Sequence, residues 1–224
     1  MNKGFIILAI ILQTKILFGQ ISTQQDTNRK WTVGIILISE PSYFYSDNFS
    51  GKFSPDYFNG ITIKRHLNFL SIRFGIEYSK TTVKVTEPDC CDILYSDGYH
   101  KEWMFRLGIE KGIRIKDFFK PFLAIDLTGI KIYSDRTLSG GFAGIRQKVI
   151  SHTTGFGLTP AIGIEFQLLK VLSVSLETRL RAIHYDTTEE IDNLYDSAGS
   201  YERTNDQFQT AFNRIGLVSV NINF

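Results

Sequence analysis

Ionisable residues recur at alternate positions along this chain: Lys64 and His66, Arg73 and Glu77, Arg106, Glu110 and Arg114, then Asp126, Glu165, Glu177, Arg179 and Arg181. Residues two or four apart share one face of a β-strand, because successive side chains point to opposite sides. Both signs occur in near balance. Enclosed in a fold, such groups form a hydrogen-bonded ion-pair network that satisfies the charges and blocks water. Left open, they would line an ion path or a substrate pocket. Ser151-His152 and His184-Tyr185-Asp186 contain the residue types of a nucleophile, a general base and its acidic partner. A base must reach its nucleophile by a hydrogen bond, and no GxSxG phrase accompanies these runs. They read as exposed loop residues.

Cys90 and Cys91, in Glu87-Pro88-Asp89-Cys90-Cys91-Asp92, are the only cysteines. A vicinal disulfide or free thiols come first, an interchain bridge second. A soft-metal site with Asp89 and Asp92 comes last, because the run supplies too few convincing ligands. No phosphate-binding glycine loop, EF-hand loop or zinc spacing is present. The sequence therefore assigns no catalytic, cofactor-binding or metal residue, and neither a cofactor nor enzymatic activity is expected.

The elements that must position these residues have a period of two. Phe156, Leu158, Pro160, Ile162, Ile164, Phe166 and Leu168 fall on one face; Gly157, Thr159, Ala161, Gly163, Glu165 and Gln167 fall on the other. Leu70–Lys80, Leu172–Ala182 and Phe212–Phe224 repeat the pattern, and Trp31–Ser39, Phe58–Leu67, Glu102–Ile115 and Pro121–Tyr133 complete eight segments. Lys111 lands on the apolar face of the fourth. In the fifth, apolar parity changes near Gly129, from Leu123, Ile125 and Leu127 to Ile130 and Ile132. A bulge at a glycine would explain either fault. Three connections are tight, near His66–Leu70, Lys116–Lys120 and Leu168–Val171. Four are long and polar: Glu40–Tyr57, Thr86–Tyr99, Ser134–Thr153 and Tyr185–Ala211.

That alternation of short and long connections, with an even strand count, is the layout of a transmembrane barrel. Aromatic residues fall at two depths. Phe58, Tyr78, Trp103, Tyr133 and Phe212 lie near the long connections; Phe69, Phe118, Phe119, Phe122, Phe166 and Phe224 lie near the tight ones. Two such girdles suit the two interfaces of a bilayer. The rival geometry is a soluble sandwich with the apolar face packed inward. The first long connection is rich in aromatics (Tyr43, Phe44, Tyr45, Phe49, Phe53, Tyr57, Phe58), which suits a protein or glycan partner, folding over the barrel mouth, or lining the outer interface.

Of 224 residues, 43% are hydrophobic and 21% charged, with a net charge of +2. This excludes a disordered chain and lacks the basic excess of a nucleic-acid-binding protein. Gly 18, Phe 18 and Tyr 10 against Pro 5 favour strands. Met1–Gln20 has Lys3 before the apolar run Phe5–Leu12 and Gly19 near its end, the layout of a cleaved signal peptide. The run is far short of the ~20 residues of a spanning helix. Residues 21–30 form a polar lead-in.

The chain resembles the small eight-stranded outer-membrane β-barrels of the OmpA/OmpX type, and among them the PorT-like outer-membrane beta-barrel domains. The carrying residues are the signal sequence, three glycine–isoleucine–glutamate phrases (Gly75-Ile76-Glu77, Gly108-Ile109-Glu110, Gly163-Ile164-Glu165) and the terminal Val218-Ser219-Val220-Asn221-Ile222-Asn223-Phe224. The resemblance implies that Phe224 is an assembly signal read by the barrel-assembly machinery. It brings no catalytic motif.

The expected fold is an all-β, eight-stranded antiparallel transmembrane β-barrel, an up-and-down meander over residues 31–224 with short periplasmic turns and four long external loops. The expected site is a lumen charge network of Arg73, Glu77, Arg106, Glu110, Asp126, Glu165, Glu177, Arg179 and Arg181. The expected location is a Gram-negative outer membrane. The expected partners are membrane lipid, the assembly machinery and an unidentified external protein or glycan, with no nucleic acid. The expected function is a non-enzymatic envelope, adhesion or partner-binding role. Its alternatives are a small-solute channel or secretion component, and a rim-active enzyme acting on lipid or peptide.

Overall fold

The structure, a computed structural model, describes residues 30–39, 56–88, 93–113, 115, 118–140, 145–194 and 199–224. The expected signal peptide, Cys90 and Cys91, and the aromatic residues from Tyr43 to Phe53 lie outside the described residues. So does Arg114.

Eight antiparallel strands follow one another: β1 (Trp31–Ser39), β2 (Asp56–His66), β3 (Ser71–Pro88), β4 (Ile93–Gly112), β5 (Phe119–Gly140), β6 (Ile145–Gln167), β7 (Leu172–Asn193) and β8 (Tyr201–Asn223). Each pairs with its neighbours in sequence, and β8 returns to β1, so the sheet closes on itself. The last residue completes the closure: Lys30 N–H donates to the Phe224 carbonyl and Phe224 N–H to the Trp31 carbonyl, both at 2.9 Å. Both chain ends of the ring therefore share an end with the tight connections, here termed the turn end.

The partners of Ser175 run through Ser219, Ile36, Gly60, Glu77, Met104, Ile130 and Gly155, and return to β7 at Tyr185, ten residues higher. A stagger of this size in an eight-stranded ring tilts the strands by roughly 35–45° and leaves an interior just wide enough to be filled by side chains. Three irregularities interrupt the register. On the β8 side of β1, Ile36 and Ile38 pair with the consecutive Ser219 and Val218, so Leu37 is an extra residue there. Phe58 and Asn59 stand opposite Leu37 alone, and Phe58 takes a left-handed φ of 55° there. Residues 214–216 stand opposite Thr178.

The outward face is apolar. Ile35, Ile61, Phe74, Leu107, Leu127, Ile162 and Leu180 are among the large exposed side chains. The inward face carries the charged residues.

Several expectations change. Three of the four long connections are mostly strand: β3–β4, β5–β6 and β7–β8 pair continuously to Pro88↔Ile93, Gly140↔Ile145 and Ile191↔Tyr201. The β5 and β8 extensions, 134–140 and 201–209, are mostly polar on both faces and show little hydrophobic alternation, while Thr, Tyr and Val in the other extensions favour extended backbone. The four long external loops are thus overturned for the second, third and fourth connections. No bulge sits at Gly129, since β5 keeps register with both neighbours there. The parity change instead turns Ile130 and Ile132 inward. Lys111 stays in register with Leu123 of β5 and faces outward at the turn end. Phe122 does not join a girdle. It is 2% exposed and points inward.

Candidate functional site

The interior is built in three levels. The lowest, at the turn end, is a lattice of hydroxyls and amides. Thr32 bonds His66 at 2.7 Å and Asn223 at 2.6 Å, His66 bonds Ser71 at 2.7 Å, and Ser175 bonds Ser219 at 2.7 Å. Beside it Lys64 donates to Glu110 at 2.6 Å and lies 4.9 Å from the centre of the Phe122 ring. Ser173 donates to Glu165 at 2.9 Å, and Lys120 approaches Glu110 and Glu165, each at 3.8 Å.

The middle level is an ionic core of Arg73, Arg106 and Arg179 with Glu77, Asp126 and Glu177. Arg73 Nε and Nη2 donate to the two Asp126 oxygens at 2.7 and 2.5 Å. Its Nη1 and Nη2 donate to the two Glu177 oxygens at 2.8 and 2.9 Å, and Nη1 reaches Glu110 at 3.5 Å. One planar guanidinium thus employs all five of its N–H groups, in the two-pronged geometry that suits carboxylates. Arg106 meets Glu77 at 2.7 Å and Asp126 at 3.2 Å. Arg179 donates to Glu177 at 2.6 Å and to Glu77 at 3.1 Å. Asp126 and Arg179 are completely buried.

Of the three glycine–isoleucine–glutamate phrases, Gly75 and Gly108 face this core, against Arg106 and Asp126, whereas Gly163 makes room for the Phe122 ring below it. A Cβ at Gly75 would come within 2.9 Å of Arg106 Nη2. The absent side chain leaves the corridor in which the guanidinium lies; the isoleucine faces out and the glutamate in.

The upper level is apolar: Met104, Ile130, Ile132, Ile183 and Tyr185 form one buried cluster. Gly155 makes room for it, since a Cβ there would lie 2.6 Å from the Tyr185 ring. Glu102 and Arg181 are buried at this height. Glu102 and the apolar level are not among the residues that the charge alternation in the sequence points to. Their signal was the inward parity of Ile130, Ile132 and Ile183, which a strict apolar-out rule treats as error.

All nine residues of the expected charge network face the interior and are buried. Among the described residues, the buried charged side chains are five cations (Lys64, Arg73, Arg106, Arg179, Arg181) and six carboxylates (Glu77, Glu102, Glu110, Asp126, Glu165, Glu177). Half-buried Lys120 adds a sixth cation. A cavity of about 10 Å³ remains beside Thr62, Arg73, Arg106 and Ser219, room for roughly one water.

The histidine runs do not converge. Ser151 lies on the inward face with buried Val149 and Thr153, whereas His184 and Asp206 are exposed on the outward face, 3.1 Å apart. The sheet itself separates Ser151 from His184.

The chain matches no family model and no curated protein.

Proposed function

We propose that this protein is an integral β-barrel of a Gram-negative outer membrane, of the OmpA/OmpX architecture, with a closed lumen and a non-enzymatic role carried by its surface beyond the bilayer. The observation that carries the reading is the inversion of the ring: large apolar side chains outside, matched charges inside. In water that arrangement exposes hydrophobic surface far beyond the few hundred Å² a soluble monomer tolerates. In a bilayer it is the low-energy state, because a closed ring leaves no unpaired backbone facing lipid.

The strand lengths support the second half of the proposal. β8 spans 23 residues, whereas about 9–11 tilted residues cross the hydrocarbon. Among the described residues, the β2–β3 ladder ends at Gly60↔Glu77 and the β1–β8 ladder at Ser39↔Leu217. The six strands β3–β8 continue past that rim as a curved sheet with β3 and β8 at its edges. Such a sheet suits envelope attachment, adhesion or the docking of an external partner. The filled interior disfavours the channel alternative, and the separation of Ser151 from His184 disfavours the rim enzyme.

The test is fractionation of the producing cell. The protein should sediment with the outer membrane and run at different apparent sizes with and without boiling. Recovery as a soluble periplasmic protein without a heat-dependent shift would refute the proposal.

A further inference from the structure

Tyr78 and Trp103 form a contacting aromatic pair on the outward face of β3 and β4, 4.6 Å between ring centres, and Phe105 stacks on Trp103 at 6.5 Å. One step toward the far end, the outward positions change to lysine. Lys80 on β3 is the direct partner of Lys101 on β4. Lys131 on β5 is the partner of Trp103, diagonal to Lys101. The ladder climbs by about one residue per strand as strand number rises. Lys80, Lys101 and Lys131 are therefore level, side by side on three consecutive strands.

Like charges directly opposed across a sheet destabilise it. Among the described residues none of these three ammonium groups meets a carboxylate. Lys80 and Lys101 lie instead over the Tyr99 ring, at 5.6 and 4.9 Å from its centre, and Lys101 lies 5.9 Å from that of Tyr133. Asp135, the nearest outward acid on β5, is engaged by Lys148 at 3.6 Å. On β7 and β8 at a similar height the outward groups are His184, Asp186 and Asp206, so the row of lysines does not extend to those strands.

We propose that Lys80, Lys101 and Lys131 form a docking patch for the phosphate of an anionic lipid headgroup. The proposal rests on the membrane reading above, which sets these lysines where acyl chains give way to headgroups. Lysine stems lie along apolar surface while their ammonium groups seek the polar layer. A phosphate there relieves the repulsion between Lys80 and Lys101, and the flanking aromatic rings hold the acyl portion of the same lipid.

Trp31 and Trp103 are the only tryptophans, so Trp31→Phe leaves one reporter, adjacent to the patch. This protein is refolded into phosphatidylcholine vesicles containing either brominated phosphatidic acid or brominated phosphatidylcholine, and quenching of Trp103 is read. The expected result is quenching by the acid roughly threefold or more stronger per mole, as three lysines near an anionic surface imply. The ratio should fall toward one in K80Q/K101Q/K131Q, and in the unmutated patch at 1 M salt, where screening acts within about 3 Å. Lys111→Gln, at the opposite end, should leave it unchanged. A ratio near one in the parent, or the parent's ratio kept by the triple variant or at high salt, overturns the patch alone. Absence of quenching by either lipid overturns the membrane reading with it.

Discussion

Arg73 and Glu177 sit on strands that face each other across the ring, β3 and β7, and share two hydrogen bonds at 2.8 and 2.9 Å. The contact is reciprocated: Arg179 of β7 donates to Glu77 of β3 at 3.1 Å. Two crossed braces thus span the interior at its middle level, tied together by Arg179 donating to Glu177 at 2.6 Å. A pair along one wall could leave a central path open; pairs across the diameter occupy it.

Glu177 serves Arg73, Arg179 and, at 3.7 Å, Arg106. Glu177→Ala strands buried guanidinium charge and should cost about 3–5 kcal/mol. Replacing Arg73 and Glu177 together with methionine should recover much of that loss. Urea titrations of vesicle-folded protein measure both. A loss under about 1 kcal/mol in Glu177→Ala, the range of exposed ion pairs, would show that the braces are not desolvated.

The apolar level predicts a second effect. Ile183 is 1% exposed among Met104, Ile130, Ile132 and Tyr185. Ile183→Ala should destabilise by roughly 2–5 kcal/mol, the cost of a cavity in a packed core, in the same titration. A neutral result would mean that this level is hydrated.

The outward face predicts a third. Ile162 is exposed on β6 between the two ends of the strand, so Ile162→Arg should cost roughly 2–4 kcal/mol near the bilayer midplane. Gln167→Arg, beside the 168–171 turn, should cost much less. Equal stability of the two variants would place Ile162 in water.

Phe224 predicts a fourth. Its backbone closes β8 onto β1 and its ring is exposed on the outward face. Deleting Phe224 should lower the yield of membrane-inserted protein in cells, while protein that does insert keeps its heat-dependent gel shift. Normal insertion of the shortened chain would contradict an assembly role.

Much of this architecture was legible because β-strands write their two faces in alternate letters. Phe156–Gln167 declared its outward and inward sets unaided, and the glycine–isoleucine–glutamate phrases declared the charged interior. Pairing within that interior was not legible. Arg73 meets Glu177 over a separation of 104 residues, and the stagger that brings them level is a property of the closed ring, not of either segment. The extensions failed for a different reason. From Ser134 to Gly140 and from Tyr201 to Gln209 both faces of the strand are polar, so strand and loop give the same pattern. Ile130 and Ile132 misled most directly, because isoleucine inside a charged interior looks like a fault in the register.

A ring inserted in a membrane and closed at its centre carries no ionic current, and single-channel recording reads that current. Purified wild-type protein that shows the heat-dependent gel shift is inserted into a planar bilayer at moderate salt. The prediction is a flat current record without discrete conductance steps, with Glu177→Ala also lacking a steady pore. Stable, ion-selective openings of the wild type, altered by charge changes at Glu177 or Arg179, would contradict it.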